Sequence, residues 1–271
     1  METLRPLSLA ELLDRTFQIY RNNFLLFAGI VAVAYLPMFI IRSGLVLAPR
    51  LLGVSAAVAL VVGGLLLVVL YLVGVAAAQS GTIIAVSAVH LSQPITIREA
   101  YSRVREMLGR IVLLTIGLGM GIAIGLVLLI VPGIILSLMW ALAVPAAVLE
   151  DASLGEATSR SRALTAGHRG RVFMIFLVFS MLSGIVGGVL GSPLVVVALL
   201  NPHANQESLA IIQVLTVVMS YISQILVTPL MTIAFSLMYY DERVRKEAFD
   251  IELMMKALEG TQGQSAAATA S

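Results

Sequence analysis

The sequence predicts an all-α membrane protein: a polytopic bundle of six transmembrane helices, accompanied by short amphipathic helices on one side. Three observations carry this. Hydrophobic residues make up 59% of the chain and charged residues 12%, with a mean hydropathy of +1.02, whereas a soluble domain carries roughly 25% charge. Six apolar stretches approach or exceed the ~20 residues needed to cross a hydrocarbon layer about 30 Å thick. The basic residues, finally, concentrate in alternate connections.

The elements follow in order. Residues 8–21 read as an amphipathic helix, with Leu9, Leu12, Leu13, Phe17 and Tyr20 largely on one face. The first span is 24–41. Glu11, Asp14, Arg15 and Arg21 precede it and no small-residue cleavage site follows, so it is expected to stay in place as a span. The second span, 55–78, lies inside the longer apolar run Leu51–Val89. A second amphipathic helix, 96–109, presents Ile97, Ala100, Tyr101, Val104 and Leu108 and leads to the third span, 111–130. A turn at Val131-Pro132-Gly133 opens the fourth and shortest span, 134–149. A third amphipathic helix, 153–166, precedes the fifth span, 172–200, and a short loop leads to the sixth, 208–240. A fourth amphipathic helix, 241–258, completes a single integral membrane domain, 1–258; residues 259–271 read as a disordered tail.

Orientation comes from charge. Arg5, Arg15, Arg21, Arg98, Arg103, Arg105, Arg110, Arg160, Arg162, Arg169, Arg171, Arg243, Arg245, Lys246 and Lys256 fall on one side, and only Arg42 and Arg50 on the other. The positive-inside rule places the rich side, with both termini, in the cytoplasm.

Three segments on that side share a pattern: Ser8/Glu11/Arg15, Thr96/Glu99/Arg103 and Ser153/Glu156/Arg160. Each is a capping box, hydroxyl on the N3 amide and Glu on the cap amide, with Arg one turn beyond Glu. The pattern reads either as the cap and ion pair that any interfacial helix uses or as a threefold repeat of amphipathic helix plus two spans, with Arg15, Arg103 and Arg160 expected toward lipid phosphates of the inner leaflet.

Inside the membrane two features stand out. Gly117, Gly121 and Gly125 in the third span, and Gly184 and Gly188 in the fifth, recur at four-residue spacing. Such faces serve either close packing within the chain or a dimer contact. In the sixth span Thr216, Ser220, Gln224, Thr228, Thr232 and Ser236 wind around a helix that also contains Pro229. They read either as interhelical hydrogen bonding or as a polar path, with Ser220, Gln224, Thr228 and Thr232 as its candidate residues.

Several chemistries are not expected. The chain has no cysteine, which removes thiolate ligands and nucleophiles. Its three histidines, His90, His168 and His203, divide between the two sides, so neither a metal nor a cofactor is expected. No ionisable residue falls deep in a span, where ion-coupled transporters place theirs. Glu150 and Asp151 read as charging the start of the helix that follows them. The expected partners are membrane lipids, with a protein partner or a second copy of the chain, and no nucleic acid.

Three segments carry a family resemblance: LRPLSLAELLDRTFQIYRNNF, the hairpin VPGIILSLMWALAVPAAVLED with ASLGEATSRSRAL after it, and YYDERVRKEAFDIELMMKALE. Together they resemble the glycerophosphoryl diester phosphodiesterase membrane-domain family, along nearly the whole chain. The resemblance implies a multi-pass protein of a bacterial or archaeal cell membrane. In some relatives the domain is fused to a soluble phosphodiesterase barrel with His, Glu and Asp catalytic residues. A barrel of about 250 residues is not expected within these 271, so no catalytic residue carries over. The expected function is non-enzymatic: lipid handling or sensing, or membership of a transport system. The alternative is a membrane scaffold or regulator that offers its cytoplasmic helices to a protein.

Overall fold

The computed structural model describes the backbone of residues 7–51, 56–200 and 205–269, and their side chains except at 48–51, 56–60, 198, 206 and 248–269. Among the described residues there are nine α-helices and no strand: α1 (Leu9–Asn22), α2 (Phe24–Leu51), α3 (Ala56–His90), α4 (Ile97–Leu128), α5 (Ile130–Met139), α6 (Ala143–Leu149), α7 (Leu154–Thr165), α8 (Arg169–Leu200) and α9 (Gln206–Thr269). Six segments are long and apolar enough to cross a membrane: Phe24–Leu47, Val61–His90, Ile97–Leu128, Ile130–Leu149, Arg169–Val197 and Glu207–Glu247. The bundle is all-helical and multi-pass, as expected.

The two faces of these helices follow from the two solvents they meet. Leu25 and Val127 are 82% and 87% exposed; in a bilayer such side chains meet acyl chains. Inside, α2 packs along α3, α8 along α9, and α9 also against α2 and α3. Phe27, Ile30, Ile83, Ile111, Ile175, Phe179, Ile233 and Tyr239 are fully buried there. With lipid outside as apolar as the core, this packing holds through close van der Waals contact and hydrogen bonds between helices. Three tyrosines supply such bonds: Tyr20 donates to the Leu226 carbonyl at 2.9 Å, Tyr221 to Ala32 at 2.7 Å and Tyr101 to Ile30 at 2.5 Å.

All three capping boxes form. Glu11, Glu99 and Glu156 accept from the cap amides of Ser8, Thr96 and Ser153 at 2.7, 2.8 and 2.9 Å. Each capped helix is followed by two crossings, so the order of elements recurs three times. The joints differ. Asn23 separates α1 from α2, and a turn around Gly167 separates α7 from α8, whereas the capped segment 96–109 and the third span form the single helix α4.

Five further expectations are corrected. The amphipathic helix 241–258 is the continuation of the sixth span in α9, and the expected tail is helical as far as Thr269, where Ala266–Ala268 are strong helix formers. The amphipathic faces also rest on protein: α1 packs on α9, with Leu12 fully buried, and Ala100 and Val104 of α4 are buried too. The turn before the fourth span is at Leu129, which is extended (φ −158°, ψ 135°), and Val131–Gly133 already belong to α5. The fourth span is itself divided into α5 and α6.

Proline explains both breaks. A proline ring collides with the carbonyl four residues back, and is tolerated in a helix's first turn, where its missing N–H costs nothing. Pro132 is the third residue of α5, and α4 ends at Leu128. Pro145 is the third residue of α6, and the break covers Trp140–Leu142.

Candidate functional site

The break at Trp140–Leu142 exposes backbone groups that a lipid environment cannot satisfy. α7 supplies their partners. Ser161 Oγ donates to the Met139 carbonyl at 2.7 Å and accepts the Leu142 N–H at 3.1 Å. Thr165 Oγ1 adds a longer contact to the same carbonyl at 3.3 Å. Ser161 and Thr165 are fully buried.

The break also places the Trp140 indole against α4. A Cβ on Gly121 would lie 2.6 Å from the ring. Gly125 meets Gly133 of α5 backbone to backbone, at 3.0 Å from a built Cβ to the Gly133 Cα. Gly117 faces Leu154. The glycine row of α4 thus serves packing within the chain. The row of α8 does not: a Cβ on Gly184 or Gly188 would meet nothing within 4 Å.

Because the hairpin leans on α4, a space remains between it and α8. The cavity measures about 540 Å³, within the range of ligand pockets. Trp140, Phe176, Phe179 and Phe235 form its aromatic walls, with Ile83, Ile122 and Met231 beside them. Its polar groups are Gln79, Ser137, Ser180, Ser183, Thr228 and Thr232. Phe176, Ser180 and Ser183 also reach the outer surface of the bundle, so the cavity opens sideways. Depth follows from helix rise. Gln79 precedes His90, Ser183 follows Arg171, and Thr228 precedes Tyr240, by eleven or twelve residues each. At 1.5 Å per residue all three lie about 16–18 Å from the charged end, near the middle of the hydrocarbon.

The polar stripe of the sixth span therefore divides. Thr228 and Thr232 line this cavity, whereas Gln224 lines a separate recess of about 10 Å³ with Tyr35, Arg42 and Tyr221. Ser220 lines neither and donates to the Thr216 carbonyl at 2.7 Å. Thr232 and Ser236 likewise donate to carbonyls of their own helix. The winding of residues spaced four apart around a helix produces this division. Gln79 was not among the candidates read from the sequence. Its signal is that it is the only amide side chain in α3.

A second constellation lies at the charged end. Arg171 of α8 reaches Asp241 at 2.9 Å and Glu242 at 2.8 Å, and donates to the Leu7 carbonyl at 2.9 Å. Asp241 accepts the Leu7 N–H at 2.7 Å, Arg245 donates to the Leu7 carbonyl at 2.7 Å, and His168 Nδ1 lies 2.7 Å from Glu242. Alongside, Glu150 takes Arg160 at 3.0 Å and the Tyr239 hydroxyl, while Arg160 also pairs with Glu247. Arg110 holds Asp151. Glu150 and Asp151 thus bind arginines of α7 and α4 instead of charging the start of α7. The segments that carried the family resemblance meet here.

The three arginines expected on lipid phosphates have different surroundings. Arg160 is held by Glu150 and Glu247 of its own chain and not by Glu156; burial lowers its pKa, but those two carboxylates outweigh it and the net shift is upward. Arg103 belongs to an exposed stretch of α4. Arg15 borders a polar recess of about 500 Å³ with Glu11, Asp14, Asn22, His90 and Ser92.

The architecture is that of a multi-pass α-helical membrane protein with a lateral cavity. The sequence model described as the membrane domain of glycerophosphoryl diester phosphodiesterase matches residues 113–264, more than half of the chain, and the chain belongs to that family. The match begins in α4, so the resemblance noted for residues 4–24 lies outside it. No curated protein and no solved structure matches the chain.

Proposed function

We propose that this protein binds a membrane lipid in the lateral cavity and performs no chemistry on it, with the charged end and both termini in the cytoplasm of a prokaryotic cell. The observation that carries the reading is the cavity: roughly mid-membrane depth, aromatic walls, and a side opening bounded by Phe176, Ser180 and Ser183. Its polar lining consists of hydroxyls and one amide, which suit binding better than acid–base or nucleophilic catalysis. Lipid handling, or presentation of a lipid to a transport system, follows from such a site. Ser183→Phe, which places a bulky ring at the opening, tests it. Purified wild type should retain lipid in native mass spectrometry and the variant should lose it; equal retention by both would overturn the reading.

A scaffold role is the second reading, favoured by the length of α9, which continues from Tyr240 to Thr269. Truncation after Glu247 tests it. Proximity labelling of intact cells should then lose a cytoplasmic partner without any change in bound lipid.

A further inference from the structure

We infer that the lipid held in this cavity carries an uncharged alcohol head, as a diacylglycerol does, and that Gln79 of α3 receives that head. The inference rests on the lipid-binding reading and narrows it. No side chain lining the cavity bears a charge. Three arginines at the adjoining charged end are already committed: Arg171 to Asp241 and Glu242, Arg160 to Glu150 and Glu247, Arg110 to Asp151. A phosphate drawn to this depth would lose its water and meet no cation in exchange, the arrangement that low-dielectric surroundings penalise most. An alcohol needs only one acceptor for its proton and one donor for its oxygen.

Ser180, Ser183 and Thr228 add hydroxyls to the lining, but the group set apart by burial is an amide. Ser137 donates to the Ile134 carbonyl at 2.7 Å and Thr232 to the Thr228 carbonyl at 3.3 Å, so both hydroxyl protons are used within their own helices. Gln79 is different: its amide oxygen is buried and has no hydrogen-bond partner. A primary amide presents an acceptor and donors side by side, the complement of a hydroxyl in either orientation of the amide. The aromatic walls of the same cavity suit the acyl chains that follow the head.

The chain supplies its own probe, because Trp140 lines the cavity and is the only tryptophan. The protein is reconstituted in phosphatidylcholine nanodiscs doped with a low mole fraction of diacylglycerol or of phosphatidylglycerol, each brominated on its acyl chains. Trp140 quenching is then measured, with Ser183→Phe setting the level due to bulk lipid. Brominated diacylglycerol should quench wild type well above that level, and Gln79→Met should raise the mole fraction for half-quenching about tenfold, the loss of one hydrogen bond that nothing replaces. Equal or stronger quenching by phosphatidylglycerol would overturn the uncharged head while leaving the lipid site standing, and this comparison needs no variant at Gln79. Unchanged quenching in Gln79→Met would overturn the role of Gln79. Quenching by neither lipid above the Ser183→Phe level would remove the lipid site itself.

Discussion

Trp140 of α5–α6 lies where a side chain on Gly121 of α4 would have to be, with the ring 2.6 Å from a built Cβ. The indole is a rigid plate, but its other side borders the cavity. Gly121→Ala should therefore push the ring into the cavity. The gain in helix propensity, about 1 kcal/mol, offsets most of the cost, so the melting temperature moves little. Trp140 emission should shift, and lipid quenching should fall.

Gly125 gives the opposite result. Its neighbours are Leu136 Cδ1 at 2.9 Å and the Gly133 backbone at 3.0 and 3.2 Å from a built Cβ, and backbone cannot swing aside. Gly125→Ala should destabilise by ~1–3 kcal/mol. Gly184→Ala, which meets open space, should be neutral or slightly stabilising. Thermal unfolding of the three glycine variants in one detergent separates the cases.

Arg171 faces carboxylates whose side chains are 3% and 0% exposed. Arg171→Ala leaves them buried without their cation, and should cost about 3–5 kcal/mol. Arg171→Lys keeps the charge but not the fork that spans two carboxylates and the Leu7 carbonyl, and should recover only part of the loss. Denaturant titration of the purified protein measures both.

Ser161→Ala removes the partner of both Met139 and Leu142 at the helix break. Two buried backbone groups lose a bond, at about 1–3 kcal/mol each when nothing replaces it. Thr165 already contacts the Met139 carbonyl, so the expected loss lies nearer a single group. A red shift in Trp140 emission should accompany it, because the break would loosen beside the indole.

Glu156 provides a pH test. The Ser153 backbone N–H, and then its hydroxyl, hold the Glu156 carboxyl below its ordinary value. A lowered folded-state pKa means a stabilising contribution that is present above the ordinary carboxyl range and lost as pH falls below it. The stability difference between wild type and Glu156→Gln should be constant near neutral pH and shrink in acid, as read from melting temperatures of the two proteins across that range.

Much of this architecture was legible in the sequence, for identifiable reasons. Spans declare themselves because apolar length is a one-dimensional property, and the capping boxes do so because their partners are three residues apart. The breaks at Leu129 and Trp140–Leu142 were half legible: Pro132 and Pro145 announce them, but a proline acts four residues upstream of itself. The cavity was not legible. It is the space between α5 and α8, and no periodicity within either helix describes a gap between two. Thr228 and Thr232 could be read as candidates from their own helix, whereas Gln79, Trp140 and Phe176 join them only through packing. The commitment of Arg160 to Glu247 spans 87 residues and was equally beyond local pattern.

The Leu7 contacts have a consequence for biosynthesis. The amide and carbonyl of Leu7 are held by Asp241 and Arg245, 234 and 238 residues later. At translation rates of roughly 5–20 residues per second, the beginning of the chain waits some 10–50 s for these partners to be made. A polypeptide interrupted before Asp241 therefore leaves the amide and carbonyl that precede α1 without these partners.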